Sequence, residues 1–279
     1  MAKQFINFNG SIIPSDQLIF EANNRGFRYG DGLFESMRFL KGKLKFAEMH
    51  VDRIQKGMKL LKFDNCSTID NWFIREKTEE LIRRNKAGAD ARIRLTVFRD
   101  SGGLYSPDSN KFAYLLELQK LDDSQYIINK KGLIIDVYDE VPKPVNILSN
   151  SKTCNAMIYV LAGIYKNQNA LDEVLILNQH GFLCESISSN VFVVYDRKLY
   201  TPALIEGCIA GVMRQVVMRL AKENNIELVE AQINPDILNE ADEVFLTNAA
   251  KGIQWVMGYN NKRYFNEVSR FLNEKLNLL

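Results

Sequence analysis

Ser151-Lys152-Thr153-Cys154-Asn155, followed by an apolar run and then by Gly181-Phe182-Leu183-Cys184-Glu185, is the stretch around which the chain is organised. The lysine sits between a loop broken by Pro142 and Pro144 and a segment with helical spacing. The glutamate lies 33 residues later, at the end of a hairpin-like strand. Taken alone, Lys152 is one lysine among many and Glu185 a solvent-facing strand residue. Set in this order, they suit a chemistry that needs a lysine amine as covalent anchor and a carboxylate as its electronic partner.

Around this stretch, residues 133–141 read as a strand stopped by the two prolines, and residues 155–169 as a helix carried by Ala156, Tyr159, Ala162 and Lys166. Strands follow at 173–177, 182–184 and 191–195. A strong helix runs over 209–224, short strands lie at Leu228, 244–246 and 253–256, and a helix over 267–276 closes the chain. Upstream, Asn9-Gly10 between two apolar runs predicts a tight hairpin. The strand 33–40 puts Phe34, Ser36 and Arg38 on one face and Leu33, Glu35, Met37 and Phe39 on the other. Helices are predicted from Ala47, where Ile54, Met58 and Leu61 keep helical spacing beside a stripe of His50 and Arg53, and over 68–85. The strand 91–99 carries Arg92, Arg94, Thr96 and Phe98 on one side, Ser101-Gly102-Gly103 breaks it, and 112–118 is a further strand. The polar run opening 120–131 is the candidate linker. Strands and helices mix without strict alternation, so the fold class is α/β of the α+β type and not a doubly wound sheet.

Composition narrows the function. The 279 residues are 46% hydrophobic and 25% charged, ordinary for a globular protein with one large or two smaller domains. Lys plus Arg (36) nearly balances Asp plus Glu (34), which gives no case for nucleic acid or a membrane surface. Met1-Ala2-Lys3-Gln4 lacks the apolar core of a signal peptide, and no apolar run approaches spanning length. Cys66, Cys154, Cys184 and Cys208 are scattered, with only His50 and His180 to help them. No metal site is expected, and reduced thiols point to the cytoplasm.

Arg25-Gly26-Phe27-Arg28-Tyr29-Gly30-Asp31-Gly32-Leu33-Phe34-Glu35, His50-Val51-Asp52-Arg53, Lys152, Glu185 with Asn190, Thr201-Pro202, Gly211-Val212-Met213-Arg214 and Glu243-Val244-Phe245-Leu246 follow one another along the chain. In this order they resemble the class IV aminotransferases, which depend on pyridoxal 5'-phosphate (PLP). That family includes branched-chain and D-amino-acid aminotransferases and aminodeoxychorismate lyase. Each piece is weak alone; the ordered set is specific and covers nearly the whole chain. The resemblance implies the two-domain fold type IV, with a small N-terminal α/β domain (1–120), a linker (121–131) and a larger cofactor-binding domain (132–279). It also implies a homodimer.

Residue by residue, the resemblance makes Lys152 the lysine that binds the cofactor aldehyde and moves the substrate proton. It makes Glu185 the carboxylate beside the pyridine nitrogen, which keeps the ring an electron sink. Arg53 matches the phosphate-binding arginine, whose planar fork suits the group. The amides of Val212 and Met213, at a helix start, would join it. Asn248 and Ala249 fall at another phosphate contact. Some members carry a hydroxyl residue at the latter position, so only a backbone contact is implied at Ala249. Phe34, Ser36, Arg38 and Arg94 are the substrate-side candidates. Lys152-Thr153-Cys154-Asn155 is short for a branched-chain enzyme, and Ser36 falls where the lyase carries threonine, whereas Arg94 is not the lyase's usual residue. The expected activity is amino transfer between an amino acid and a 2-keto acid, with aminodeoxychorismate lyase as the alternative. The cofactor motifs are common to both.

Overall fold

Asn9 and Gly10 adopt positive φ (49° and 91°), the geometry a two-residue hairpin demands, and join strands β1 (Phe5–Phe8) and β2 (Ser11–Pro14). The computed structural model to which they belong describes residues 4–100 and 102–279. Met1, Ala2 and Lys3, and Ser101 of the expected strand break, lie outside the described residues. The chain divides into two units: residues up to Ser124 together with Ser151–Asn155, and Gln125–Asn150 together with Ala156–Leu279.

In the first unit a short helix α1 (Arg25–Tyr29) precedes β3 (Gly32–Leu40), β4 (Lys43–Leu44), helices α2 (Ala47–Leu60) and α3 (Asn71–Asn85), and strands β5 (Ala91–Arg99) and β6 (Phe112–Lys120). The strands form a six-stranded sheet in the order β2-β1-β6-β5-β3-β4. One face carries Leu33, Met37, Ile93, Leu95, Val97 and Leu116, buried beneath Val51, Ile54 and Met58 of α2 and Ile74 and Leu81 of α3. Each such side chain contributes roughly 1.5–3 kcal/mol by leaving water. Gly57 lets α2 come close: a methyl there would lie 2.9 Å from Leu33. The expected start of α3 at 68 is displaced, because residues Cys66–Thr68 form a 3-10 turn and Asp70 is the N-cap, accepting from the Phe73 amide at 2.7 Å.

The second unit holds β7 (Leu133–Lys143), α4 (Met157–Gln168), β8 (Glu173–Asn178), β9 (Leu183–Ser186), β10 (Asn190–Tyr195), β11 (Lys198–Pro202), α5 (Val212–Glu223), β12 (Leu228–Ala231), β13 (Glu243–Asn248), β14 (Gly252–Tyr259), β15 (Lys262–Arg263) and α6 (Glu267–Leu276). The mixed sheet runs β12-β11-β10-β13-β14-β7-β8-β9, with β15 on β14. Pairs β11/β12, β14/β7 and β7/β8 are parallel and the remainder antiparallel. Its central strands are buried through Val191, Val193, Val244, Leu246 and Val256. The Glu243 carboxylate accepts from the amides of Val268 and Ser269, so a sheet residue caps α6.

Three expectations need correction. Strand β7 does not stop at Pro142 but runs through it to Lys143, because the pairing with β8 lapses between Tyr138 and Lys143, where no amide is required of a proline. Helix α5 begins at Val212 and not at 209. Strand β11, not expected, is entered by a turn in which Asp196 and Arg197 take φ of 46° and 59°. Among the described residues no helix is long and apolar enough to cross a membrane.

Candidate active site

Lys152 reaches the first unit on a five-residue excursion from the second. The Cys154 amide donates to the Gly32 carbonyl at 2.8 Å, the Phe34 amide donates to the Lys152 carbonyl at 2.9 Å, and Thr153 bridges Leu33. Because β4 pairs only with Phe39 and Leu40, the other end of that edge of β3 is left for residues 152–154. Backbone pairing therefore fixes where the lysine starts. Its ammonium lies 4.4 Å from the centroid of the Phe34 ring, and the Arg94 guanidinium carbon 3.8 Å from the same centroid. Phe34 is thus in contact with both cations.

The register places Ser36 opposite Arg94 and Arg38 opposite Arg92, so the predicted common face is present. Glu117 lies 3.8 Å from Arg94, and burial pulls the Arg94 guanidinium below its ordinary range. Arg92 donates to Ser36 Oγ at 3.5 Å. Arg38 differs from its neighbours: it is buried and donates to the carbonyl of Asp123.

The opposite face of β3 carries an ionic cluster. Glu35, buried to 1% exposure among apolar neighbours, accepts from Arg53 Nε at 2.7 Å, from a second Arg53 nitrogen and from His50 Nδ1 at 2.6 Å. His50 and Arg53 are three residues apart on α2 and so share a helix face. Burial alone would raise the Glu35 carboxyl; the charge and hydrogen bonds of Arg53 and His50 outweigh it and hold the group at about 2. Burial lowers His50 despite the carboxylate beside it. An ionised Glu35 can only accept, so Nδ1 carries the His50 proton, and the buried Nε2 has no partner. Arg53 is oriented by two bonds from one carboxylate.

In the second unit Glu185 is 3% exposed on β9. Its Oε1 accepts from the ammonium of Lys143 and from the Tyr159 hydroxyl at 2.7 Å, and its Oε2 accepts from the Ile209 amide at 2.9 Å. Burial, and then the Glu185 charge, push the Tyr159 phenol far up, so it stays a donor. The Ile209 carbonyl accepts from Asn190 Nδ2 at 2.8 Å, and Ala210 donates to the Asn150 carbonyl. These bonds explain why α5 starts at Val212: Ile209 and Ala210 are committed elsewhere, and Gly211 is left to cap the helix. Gly211 is the N-cap, without a side-chain cap, and a methyl there would lie 1.9 Å from Asn190 Oδ1. Val212 and Met213 open the helix.

The Asn248 side chain accepts from the amides of Ala250 and Lys251 and donates to Ser189 Oγ, so it shapes a turn; the Ala249 carbonyl accepts from the Tyr126 hydroxyl at 3.4 Å. Nearby in the chain, Ser186 Oγ and Thr247 Oγ1 are buried without partners.

These features fit PLP on chemical grounds. Within the second unit, an uncapped helix start behind a glycine that admits no side chain suits a phosphate, and a buried carboxylate suits a pyridine nitrogen; within the first, an oriented arginine is by itself a group suited to a phosphate. Carboxylate Oε2 accepts one bond and has capacity for another. Among the described residues no group of acidic, histidine or cysteine side chains could hold a metal ion, and all four cysteines are free.

Reading the sequence missed three residues of these clusters. Glu35 carried a signal, an acidic residue alternating with Leu33 and Met37 ahead of a His50/Arg53 stripe. Lys143 was hidden between two prolines, and Tyr159 passed as an ordinary helix residue.

A family model described as amino-transferase class IV matches residues 32–257. The chain is 30% identical to a putative branched-chain-amino-acid aminotransferase of Methanocaldococcus jannaschii, over 97% of this chain and 94% of that protein. It is 26% identical to an aminodeoxychorismate lyase of Bacillus subtilis, over 88% of this chain and 83% of that one. Its fold is similar to that of a branched-chain amino acid aminotransferase from Thermobaculum terrenum solved in its PLP form, with a TM-score of 0.85 at 20% identity over 98% of this chain and 92% of that one.

Proposed function

The chain belongs to the class IV aminotransferases, and on that premise we propose that it is a PLP-dependent transaminase of branched-chain L-amino acids with a 2-keto acid as acceptor. The observation that carries the reading is the excursion of Ser151–Asn155 into the first unit, which pairs Lys152 with β3 and sets its amine against Phe34. A lysine whose own carbonyl and whose second following amide are bonded to β3 is built for one position. The relatives named for branched-chain amino acids support the substrate class.

When bound, PLP supplies an aldehyde for the amino group and a ring that takes up the electrons of the substrate α-carbon. The protein's own residues do the rest. Lys152 anchors the aldehyde and carries the proton from the α-carbon. Glu35 orients Arg53, which would bind a phosphate, and the helix-start amides of Val212 and Met213 would suit the same chemistry. Glu185 accepts from the ring nitrogen. Phe34 and Arg94 line the substrate side, the ring against an apolar side chain and the guanidinium toward a carboxylate. The family pattern supports a homodimer, and the four free thiols support a cytoplasmic location.

One observation favours a second reading as aminodeoxychorismate lyase. Arg92 and Arg94 stand on one sheet face whose nearest carboxylate partner, Glu117, is 3.8 Å from Arg94, which suits a substrate with more than one carboxylate. The deciding experiment loads purified protein with PLP and adds L-leucine, L-glutamate, D-alanine or aminodeoxychorismate. Conversion of the cofactor to pyridoxamine phosphate by L-leucine, abolished in Lys152→Ala, is the expected result. Release of pyruvate and 4-aminobenzoate from aminodeoxychorismate would replace transamination by the lyase, and a wild-type protein that takes up no PLP would overturn both.

A further inference from the structure

Lys143 is placed by a defect in a strand. Between Tyr138 and Lys143 of β7 the chain advances five residues while β8 advances two, from Ile176 to Asn178. The surplus is a bulge that returns Lys143 to the sheet. Its main chain is then locked by the Gln179 amide, which donates to the Lys143 carbonyl at 2.9 Å. The side chain is buried, and its ammonium donates to the Ser149 carbonyl at 3.2 Å and to Glu185 Oε1. A buried ammonium has to be paired, and both partners here are supplied by the fold.

The surroundings of Glu185 add no second charge in hydrogen-bond contact. Tyr159 stays protonated, and the Cys184 and Cys208 thiols, which feel the same carboxylate's charge, are pushed up first by burial, Cys208 to about 11. The Ile209 amide is neutral. Lys143 is therefore the one cation bonded to Glu185 among the described residues.

A carboxylate beside a pyridine nitrogen shares one proton with it. The proton can rest on the carboxyl, leaving two neutral groups, or on the nitrogen, leaving an ion pair. An ammonium bonded to the far oxygen loses its ion pair in the first arrangement and keeps it in the second. We propose that Lys143 is a positioning residue that holds Glu185 ionised and so keeps the shared proton on the ring nitrogen of bound PLP. Tyr159, donating to the same oxygen, assists in the same direction without a charge. The inference rests on the reading of the protein as a PLP enzyme with Glu185 at the ring nitrogen.

The test is nitrogen-15 NMR of PLP labelled at the ring nitrogen, bound to wild type, Lys143→Met, Lys143→Arg and Tyr159→Phe. Wild type and Lys143→Arg are expected to show the pyridinium shift. Lys143→Met is expected to move most of the way to the neutral-pyridine shift, and Tyr159→Phe a smaller distance in the same direction. Should Lys143→Met fail to fold, Lys143→Gln, which keeps a polar group but no charge, carries the test with the same expected direction. A pyridinium shift unchanged in Lys143→Met would overturn the role of Lys143 while leaving the PLP reading intact. A wild type that binds no PLP would overturn both.

Discussion

Two buried carboxylates, one in each unit, are held by cations in opposite senses. On the proposed function Glu35 is the fixture and Arg53 the working group: the carboxylate is 1% exposed, and the guanidinium side chain beside it is 12% exposed. At Glu185 the same proposal makes the carboxylate the working group, with Lys143, Tyr159 and the Ile209 amide as its fixtures. The two ion pairs thus differ in which partner the proposed function turns toward a ligand. In both cases breaking the pair by removing one member leaves a charge in a poor solvent, which is the costly way to lose a salt bridge.

The largest effect is expected at Glu35. Glu35→Ala removes the carboxylate that accepts two bonds from Arg53 and one from His50, and a loss of about 3–5 kcal/mol is expected for a buried pair broken on one side. Urea unfolding measures it, and a loss below about 1 kcal/mol would show that Arg53 is held by other means. The same cluster gives stability a pH dependence with a definite sign. The folded Glu35 carboxyl, at about 2, lies below its unfolded value of 4.5, so its contribution is complete above 4.5 and is lost as pH falls toward 2. The shift corresponds to roughly 3 kcal/mol at most. His50 is also lowered, so the unfolded chain takes up its proton first and stability begins to fall as pH drops through 6.5. Glu35→Gln should flatten the lower of the two windows; an unchanged acid profile would show that other carboxylates set it.

How much of this contrast was legible in the sequence differs between the two carboxylates. The alternation of β3 already put Glu35 with Leu33 and Met37, and the spacing of His50 and Arg53 put them on one stripe; only their meeting required the structure. Glu185 was found by resemblance, but its clamp was not legible. Lys143 depends on a bulge that passes through Pro142, and a proline in a strand pattern ordinarily reads as an end. The start of α5 was misread for a related reason. Apolar spacing continues back through Ile209, yet its amide belongs to Glu185 and its carbonyl to Asn190, partners distant in sequence. Strand β11 was missed because its turn uses Asp196-Arg197 at positive φ, where Asn-Gly is the recognisable signal. Local pattern was readable wherever local energetics decided the outcome, and failed where a long-range hydrogen bond did.

An intermediate effect is expected at Gly211, which joins the Glu185 clamp to the start of α5. A methyl at this position would lie 1.9 Å from Asn190 Oδ1, so Gly211→Ala must displace the side chain that holds the Ile209 carbonyl. Overpacking of this kind costs about 1–3 kcal/mol. Because the displaced bond, from Asn190 to the Ile209 carbonyl, anchors the chain just before Val212, PLP affinity should fall by about tenfold or more, the equivalent of about 1.4 kcal/mol. Equilibrium dialysis against PLP checks this. A variant that is destabilised but binds PLP as wild type does would separate the helix start from the cofactor.

The smallest effect sharpens the comparison by removing burial from it. Asp52, the neighbour of Arg53 on α2, pairs with Lys56 at 2.7 Å, four residues on, with side chains 58% and 74% exposed. The ion types are those of the Glu185–Lys143 pair and the separation is that of a good hydrogen bond, but water already solvates both members. Coulomb attraction is screened, and holding two long side chains costs entropy, so such pairs contribute about 0.3–0.5 kcal/mol. Asp52→Asn should therefore change the unfolding free energy by about 0.5 kcal/mol or less, and that small change should shrink further in high salt. Glu35→Ala should keep most of its effect under the same conditions, since its partners are shielded from the ions. If the two variants responded alike to salt, the contrast drawn between buried and exposed pairs on this helix would fail, and with it the claim that burial makes Glu35 a fixture.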